Sequence, residues 1–177
     1  MHVRVTLKAS AAICGLILLS PGVVMRAQDR AVDTDRSIGT WKLNLEESRF
    51  PGAKPQMEVR RYWLREDGFL VGLAISVDGQ GNPAFVQFAA KPDGRDYPEY
   101  TASTLADLQA TGRHTPIMYA QKNVDAYAAD VTLRREGRVT TTGSRVVSKD
   151  GRTMTIMLST MNPQGQMVTT VRVFDRQ

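Results

Sequence analysis

Apart from one long gap over residues 96–126, turn signals recur along this sequence at nearly regular intervals, separated by short segments in which apolar and polar residues alternate. Successive turns are 11, 15, 43, 14 and 14 residues apart, and they are marked by Asp67-Gly68, Asp78-Gly79, Asp93-Gly94, Glu136-Gly137, Asp150-Gly151 and Gln164-Gly165. Tight turns of this kind join antiparallel neighbours. An open meander would leave two unpaired edges, so the pattern predicts an all-β fold: a closed or nearly closed antiparallel up-and-down β-barrel of about 8–10 strands.

The clearest strand carries five apolar residues at a spacing of two, namely Phe69, Val71, Leu73, Ile75 and Val77. Small or mixed residues lie between them, so the alternation predicts that the apolar set fills the core and the other face is partly exposed. The first strand is predicted over residues 39–44. Residues 46–55 are rich in Pro and Gly, which favours a loop or a single helical turn.

Residues 96–126 are the least regular part of the chain. The pattern indicates short strands at 97–101 and 117–121, with a weak helical turn around Leu105 and Leu108. An irregular segment between regular hairpins is typical of a lid or an entrance loop.

The first 27 residues have the features of a secretory signal. Two basic residues, Arg4 and Lys8, precede an apolar run over residues 9–19, and Ala27 offers a small residue for cleavage. An uncleaved anchor is the rival interpretation, but the run is shorter than the roughly 20 residues that span a bilayer. We therefore expect a secreted or periplasmic protein with no stable membrane span after cleavage: residues 1–27 as signal peptide, 28–37 as a flexible lead-in and 38–177 as one barrel domain.

Loss of the leader changes what charge and cysteine content imply. The full chain has a net charge of +5, but residues 1–27 hold three basic residues and no acid, so 20 basic and 18 acidic residues remain. Such a balance does not favour nucleic acid as a partner. The single cysteine, Cys14, also lies in the leader, so the exported domain has to be stabilised by burial without a disulfide.

Motifs for catalysis are missing from the sequence. His114 is the single histidine beyond the leader, and the sequence has neither a Gly-x-Ser-x-Gly elbow nor a phosphate-binding loop. Asp78, Gln80 and Asn82 resemble half of a calcium loop, but Ala89 stands where a bidentate Glu is needed. We expect no enzyme activity, metal or cofactor, and an enzyme that uses His114 ranks last among the hypotheses.

Two segments resemble known β-barrel families. Gly39-Thr40-Trp41-Lys42-Leu43 resembles the Gly-x-Trp signature of the calycins, the superfamily of lipocalins and fatty-acid-binding proteins. The segment from Arg145 through Asp150-Gly151 to Arg172-Val173-Phe174 is similar to the closing strands of fatty-acid-binding proteins, with Phe174 in place of a Tyr. That resemblance implies a calycin-like barrel in which arginines hold a ligand carboxylate.

A longer match is to uncharacterised exported lipocalin-like proteins of bacteria. It extends from residues 39–52 through Asp93-Gly94 and Asp96-Tyr97-Pro98 to residues 147–155, and so covers nearly the whole exported chain. It implies a fold and carries no established activity.

The candidate ligand-binding residues are Arg172, Arg145, Phe174, Trp63 and Tyr119, and Gly39 and Trp41 are expected to close the barrel. Trp41 either plugs the barrel floor or lines a cavity. An inward-facing Arg172 needs a partner, either the face of Trp41 or a ligand anion. Arg145 either faces inward as a second cation or faces solvent.

Two functional hypotheses follow. The first is an exported lipocalin-like barrel that binds a small hydrophobic or amphipathic ligand, with or without an anionic end. The second is a filled barrel that acts as an envelope protein-interaction module; an interior packed solid by Trp41, Phe69, Leu73, Ile75 and Met154 would favour it. The sequence leaves the oligomeric state open.

Overall fold

A computed structural model describes residues 35–113, 115–162 and 164–177. These residues form ten strands and one helix: β1 (Gly39–Arg49), β2 (Met57–Leu64), β3 (Leu70–Val77), β4 (Pro83–Ala90), β5 (Tyr97–Thr101), α1 (Ala102–Thr111), β6 (Ile117–Asn123), β7 (Ala128–Arg135), β8 (Arg138–Val147), β9 (Thr153–Met161) and β10 (Met167–Arg176). Each strand pairs antiparallel with the next one along the chain, and β1 pairs with β10. The all-β, closed up-and-down barrel predicted from the turn spacing is confirmed.

The predictions for the leader fall outside this description. Residues 1–34, which contain the expected signal peptide and most of the lead-in, are not among the described residues, and neither is His114. Within the described ranges, no helix combines the length and the apolar character needed to cross a membrane.

The up-and-down topology places alternate turns at opposite ends of the barrel. The closed end holds the start of β1, the end of β10 and the β8–β9 turn. The open end holds the β1–β2 loop (residues 50–56), the β3–β4 turn (residues 78–82) and α1, which follows β5. The helix is longer than the single turn predicted, because Thr101 and Thr104 form a capping box and Gly112 ends it in a left-handed conformation (φ 66°).

Strand β1 is longer than the sequence indicated. It continues to Arg49, and its register against β10 shifts between Asn44 and Arg49. The Ser48 hydroxyl donates to the Asn44 carbonyl oxygen (2.6 Å) and accepts from the Val173 amide (2.9 Å), so a side chain replaces a missing backbone partner in the ladder. The expected loop over residues 46–55 was therefore wrong for its first four residues, since this side-chain bond allows an irregular strand to continue.

The two faces of β3 are reversed relative to the prediction. Ile75 is 50% exposed, and its neighbours across the sheet, Val59 and Phe85, share the outer face. The inner face carries Gly72, Ala74 and Ser76, because Tyr62 and Phe88 of the flanking strands already occupy the interior. A Cβ atom at Gly72 would lie 2.4 Å from the Phe88 ring. Phe69, Leu73 and Ile75 therefore do not fill the core.

The core lies inside the barrel and is fullest towards the closed end. Its buried apolar members come from nine of the ten strands: Trp41, Leu43, Tyr62, Leu70, Phe88, Ala90, Tyr119, Val131, Val147, Met154, Ile156 and Phe174 contribute most. A domain of this size has to gain most of its stability from such burial.

Candidate functional site

Two adjacent spaces lie inside the barrel and at its open end. An inner chamber of about 130 Å³ has mainly apolar walls formed by Val86, Phe88, Val131, Leu133, Ile156 and Leu158. An outer pocket of about 390 Å³ lies between the β1–β2 loop and the exposed β3–β4 turn. Arg60, Val86 and Arg172 line both spaces, and the region between the two spaces where these three residues lie is called the neck below.

Trp41 and Arg176 seal the closed end. The Trp41 side chain is fully buried, and its indole N–H donates to the Ser37 carbonyl oxygen (2.7 Å). The Arg176 guanidinium lies 4.2 Å from the centre of the Trp41 ring and donates to carbonyl oxygens of Arg36, Ile38 and Gly151. Gly39 has a φ of 135°, and a Cβ there would lie 2.5 Å from Arg176 Nη1. The closed end thus requires a residue without a side chain at this position.

The cation on the Trp41 ring is Arg176, and the alternative that placed Arg172 there is wrong. The register of β1 against β10 explains this, because it places Trp41 opposite Arg176. Arg172 lies four residues earlier on β10, further from the closed end of the barrel.

Arg172 lies at the neck with incomplete partnering. Its Nη1 is 3.4 Å from Glu58 Oε2, and its guanidinium lies 5.8 Å from the Phe50 ring centre. Its Nε is buried and has no hydrogen-bond partner among the described residues, although the side chain as a whole is 31% exposed. Burial and the neighbouring Arg60 hold the pKa of Arg172 below its usual value despite Glu58.

Arg145 faces inward and is fully partnered. Its side chain is 4% exposed, Nη2 pairs with Asp35 Oδ2 (2.7 Å), and Nη1 donates to Gln121 Oε1 (3.2 Å). The guanidinium also lies 4.9 Å from the Tyr62 ring centre. Burial is the largest effect and opposes its charge, but Asp35 together with Tyr119 and Tyr62 outweighs burial, and the pKa of Arg145 is raised. Of the two open interpretations, the inward one is observed, with a protein carboxylate as the partner.

Residues 35–37, the end of the expected lead-in, pack against the closed end. Asp35 and Ser37 are buried, and the Arg36 amide donates to the Ala126 carbonyl oxygen (2.8 Å). Asp35 also accepts from the Ser37 amide (2.9 Å), so one carboxylate shapes this segment and neutralises Arg145.

A charged pair on β2 was missed by the sequence analysis. Glu58 is buried, and Arg60 Nε donates to its Oε1 at 2.5 Å, while Arg60 Nη1 donates to the Tyr62 hydroxyl oxygen (3.3 Å). Burial alone would raise the pKa of Glu58, but Arg60 and then Arg172 outweigh it and the pKa is lowered. The sequence did contain a signal for this pair: these polar residues alternate on one face of β2, and that face lies beside the small residues of β3.

Glu99 on β5 is the second acid that was missed. It is 6% exposed, lines the inner chamber and lies across the sheet from Phe88 and Ile117. Its carboxyl group has no hydrogen-bond or ion-pair partner among the described residues. Burial raises the pKa of Glu99 to about 7, and the more distant Arg60 offsets part of this effect. No sequence pattern marks this acid, because it lies in the irregular segment.

The remaining candidates are divided between the two faces of the sheet. Tyr119 lines the inner chamber, stacks on Phe88 (3.8 Å between ring centres) and donates to Gln121 Oε1 (2.8 Å). Phe174 is fully buried below Arg60, whose guanidinium is 5.4 Å from its ring centre. Trp63 lies on the outer face of β2, and the guanidinium of Arg61 is 6.0 Å from the centre of the Trp63 ring. The structure therefore brings four of the five residues into the barrel and separates Trp63 from them.

Metal ligands are not grouped in the part of the chain that the structure describes: no cluster of three or more His, Cys, Asp or Glu side chains occurs there. The Asp78 carboxylate accepts from the backbone amides of Gln80 and Asn82 and from the Asn82 side chain. These bonds form a self-contained turn between β3 and β4.

No protein-family model matches the chain, and no curated protein matches it. Among solved structures, a redesigned β-barrel, b11L5F_LGL, is 12% identical with a TM-score of 0.42, covering 84% of this chain and 96% of its own. EF1p2_mFAP2b bound to DFHBI is 8% identical with a TM-score of 0.42, covering 85% of this chain and 100% of its own. Similarity at this level carries no information on ligand or activity, and the barrel is established here by its own strand pairing.

Proposed function

We propose that this protein is an exported, calycin-like barrel that binds a small amphipathic ligand with an anionic end. The observation that carries the proposal is Arg172 at the neck, with a buried Nε that has no partner among the described residues. A buried donor without a partner costs roughly 1–3 kcal/mol, and a ligand oxygen would recover that cost. Export rests on the leader-like residues 1–27, and the calycin assignment rests on the resemblance around Trp41.

The mechanism is passive binding. Apolar chamber walls favour the body of the ligand at about 25 cal/mol per Å² of apolar surface removed from water. A guanidinium with a free N–H edge suits a carboxylate or sulfonate, because it can donate two parallel hydrogen bonds. The outer pocket is within the size range of small-molecule sites, roughly 300–1,000 Å³, and the inner chamber is smaller. The ligand body is therefore expected to extend through both spaces.

Native mass spectrometry and thermal shift with medium-chain amphiphiles test this function. We expect 1-decanesulfonate to bind the purified protein and to raise its melting temperature, with roughly 2.7 kcal/mol of stabilisation at 100 times Kd. Arg172→Met should weaken binding at least tenfold, whereas the exposed Arg138→Met should change nothing. Absence of a bound species together with no thermal shift for sulfonates, carboxylates and alcohols would refute the proposal.

A second candidate function, an interaction module that acts through the outer surface, is favoured by one observation. Val59, Ile75 and Phe85 form an apolar row across three neighbouring strands on the outside of the barrel. Retention of a periplasmic protein by the original chain, but not by Ile75→Lys, would support this candidate.

The proposed ligand binding includes no chemical step. The enzyme hypothesis is tested separately, by an activity screen that compares His114→Ala with the original protein.

A further inference from the structure

The charges that face the interior balance each other. Among the described residues, three cations and three acids point into the barrel interior, and Tyr62 and Tyr119 add phenol groups; a further acid, Asp78, lines the outer pocket from the β3–β4 turn at the open end. The cations are Arg60 of β2, Arg145 of β8 and Arg172 of β10; the acids are Asp35 before β1, Glu58 of β2 and Glu99 of β5. Strands β4 and β6 flank β5, and the groups they turn towards Glu99 are uncharged, while the one acid of α1, Asp107, is exposed.

Glu99 differs from the other two acids in its contacts. Asp35 pairs with Arg145, and Glu58 lies between Arg60 and Arg172. The Glu99 carboxyl has no such partner among the described residues, is more than nine-tenths buried and faces the inner chamber. An unpaired carboxylate in this position is costly, whereas a carboxylic acid is tolerated.

We propose that Glu99 faces the ligand as a neutral carboxylic acid, so that the barrel takes up one proton from solvent for each monoanionic amphiphile that it binds. The charge balance gives the reason. With Glu99 ionised, the interior of the empty barrel is neutral, and a monoanion would leave one uncompensated negative charge in a buried space. With Glu99 protonated, the interior has one excess positive charge at the neck, which the monoanion neutralises.

This inference rests on the proposed function and narrows its ligand class to singly charged anions. Burial already raises the pKa of Glu99 to about 7 in the empty protein, so only a small further cost is needed to protonate it near neutral pH. The bound anion raises that pKa further, and by linkage proton binding strengthens anion binding by the same factor.

Isothermal titration calorimetry with 1-decanesulfonate tests the coupling, because a sulfonate keeps its charge at every pH used. We expect Kd to rise roughly 30-fold between pH 6 and pH 8.5, as follows for one group with a pKa of about 7. Repeating the titration at pH 8 in two buffers with different ionisation enthalpies counts the protons, and nearly one should be taken up. The uncharged 1-decanol should show no proton uptake and the same Kd at each pH.

Glu99→Gln supplies the matched variant, since an amide has the shape of the neutral acid and does not titrate. Its affinity for the sulfonate should no longer depend on pH between pH 6 and pH 8.5, and its proton uptake should fall to zero. The exposed Glu47→Gln should behave like the original protein.

The outcomes separate the two proposals. Sulfonate binding that varies less than twofold across this pH range, or a pH dependence that persists in Glu99→Gln, overturns the coupling and leaves ligand binding standing. Failure of every amphiphile to bind at every pH overturns both. The buffer comparison on the unaltered protein decides the coupling even if Glu99→Gln does not fold.

Discussion

Replacing the buried acid Glu99 with Gln should stabilise the empty protein at neutral and alkaline pH. Burial raises the pKa of Glu99 from 4.5 to about 7. At about 1.4 kcal/mol per pH unit, this difference corresponds to roughly 3 kcal/mol for ionising the group in the folded protein. Glutamine avoids that cost, because it stays uncharged.

The direction of the pH dependence follows from where the proton is bound. Below about pH 4.5, Glu99 is protonated in both the folded and the unfolded chain. Between about 4.5 and 7, the unfolded chain loses this proton while the folded protein keeps it, so the contribution of Glu99 to stability falls as pH rises. Above about pH 7 both states are ionised and the loss is complete. Glu58 has the opposite effect. Because its pKa is lowered in the folded protein, stability falls as the pH drops below the pKa that Glu58 has in the unfolded chain.

Urea unfolding at a series of pH values, followed by circular dichroism, measures this effect. The informative quantity is the difference in unfolding free energy between Glu99→Gln and the original protein, because every other titrating group is common to both. We expect a difference near zero at pH 4.5 and roughly 3 kcal/mol in favour of the variant at pH 8, or about 1.5 M in urea midpoint for a slope of about 2 kcal/mol/M. A difference that does not grow with pH, or that changes in the opposite direction, would refute the reasoning.

Three further substitutions test the architecture by thermal and urea unfolding. Asp35→Ala should destabilise the barrel by about 3–5 kcal/mol because it leaves Arg145 buried without its carboxylate, and adding Arg145→Met should recover part of that loss. Gly72→Ala should cost about 1–3 kcal/mol since its Cβ meets two aromatic rings, while Gly52→Ala, with open space around it, should be nearly neutral. Ile75→Thr should cost less than about 1 kcal/mol, because this residue lies on the outer face; a loss of 3 kcal/mol or more would contradict that placement.

Turn chemistry made the barrel predictable, but the prediction from residue alternation that the apolar face of β3 fills the core was wrong. The Asp-Gly signals gave the hairpins, and the need to remove free edges gave closure. Alternation on β3 separated an apolar face from a small one without showing which pointed inward. That choice depends on space, and Tyr62 and Phe88 fill the interior on either side of Gly72. Information from neighbouring strands decides it, and no single strand contains that information.

The site was predictable mainly where residues lay on regular strands. Arg145 and Arg172 were identified from strand position and resemblance, and Tyr119 as an aromatic residue on a short predicted strand; all three lie in the barrel. Arg176 was missed as the partner of Trp41, because the choice between two arginines four residues apart depends on the register of β1 against β10. Glu99 was missed because it follows no periodicity.

The seal of the closed end joins the two extremes of the described chain. Arg36 and Ile38 accept hydrogen bonds from Arg176, 140 and 138 residues later, and Trp41 lies under the same guanidinium. Contacts so distant in sequence form late and make folding slow. Because a chain is synthesised from its N-terminus, the first strand remains without its seal until the last strand has been made. The period between synthesis of the first strand and pairing of the last is when this barrel would be most exposed to proteases and to aggregation.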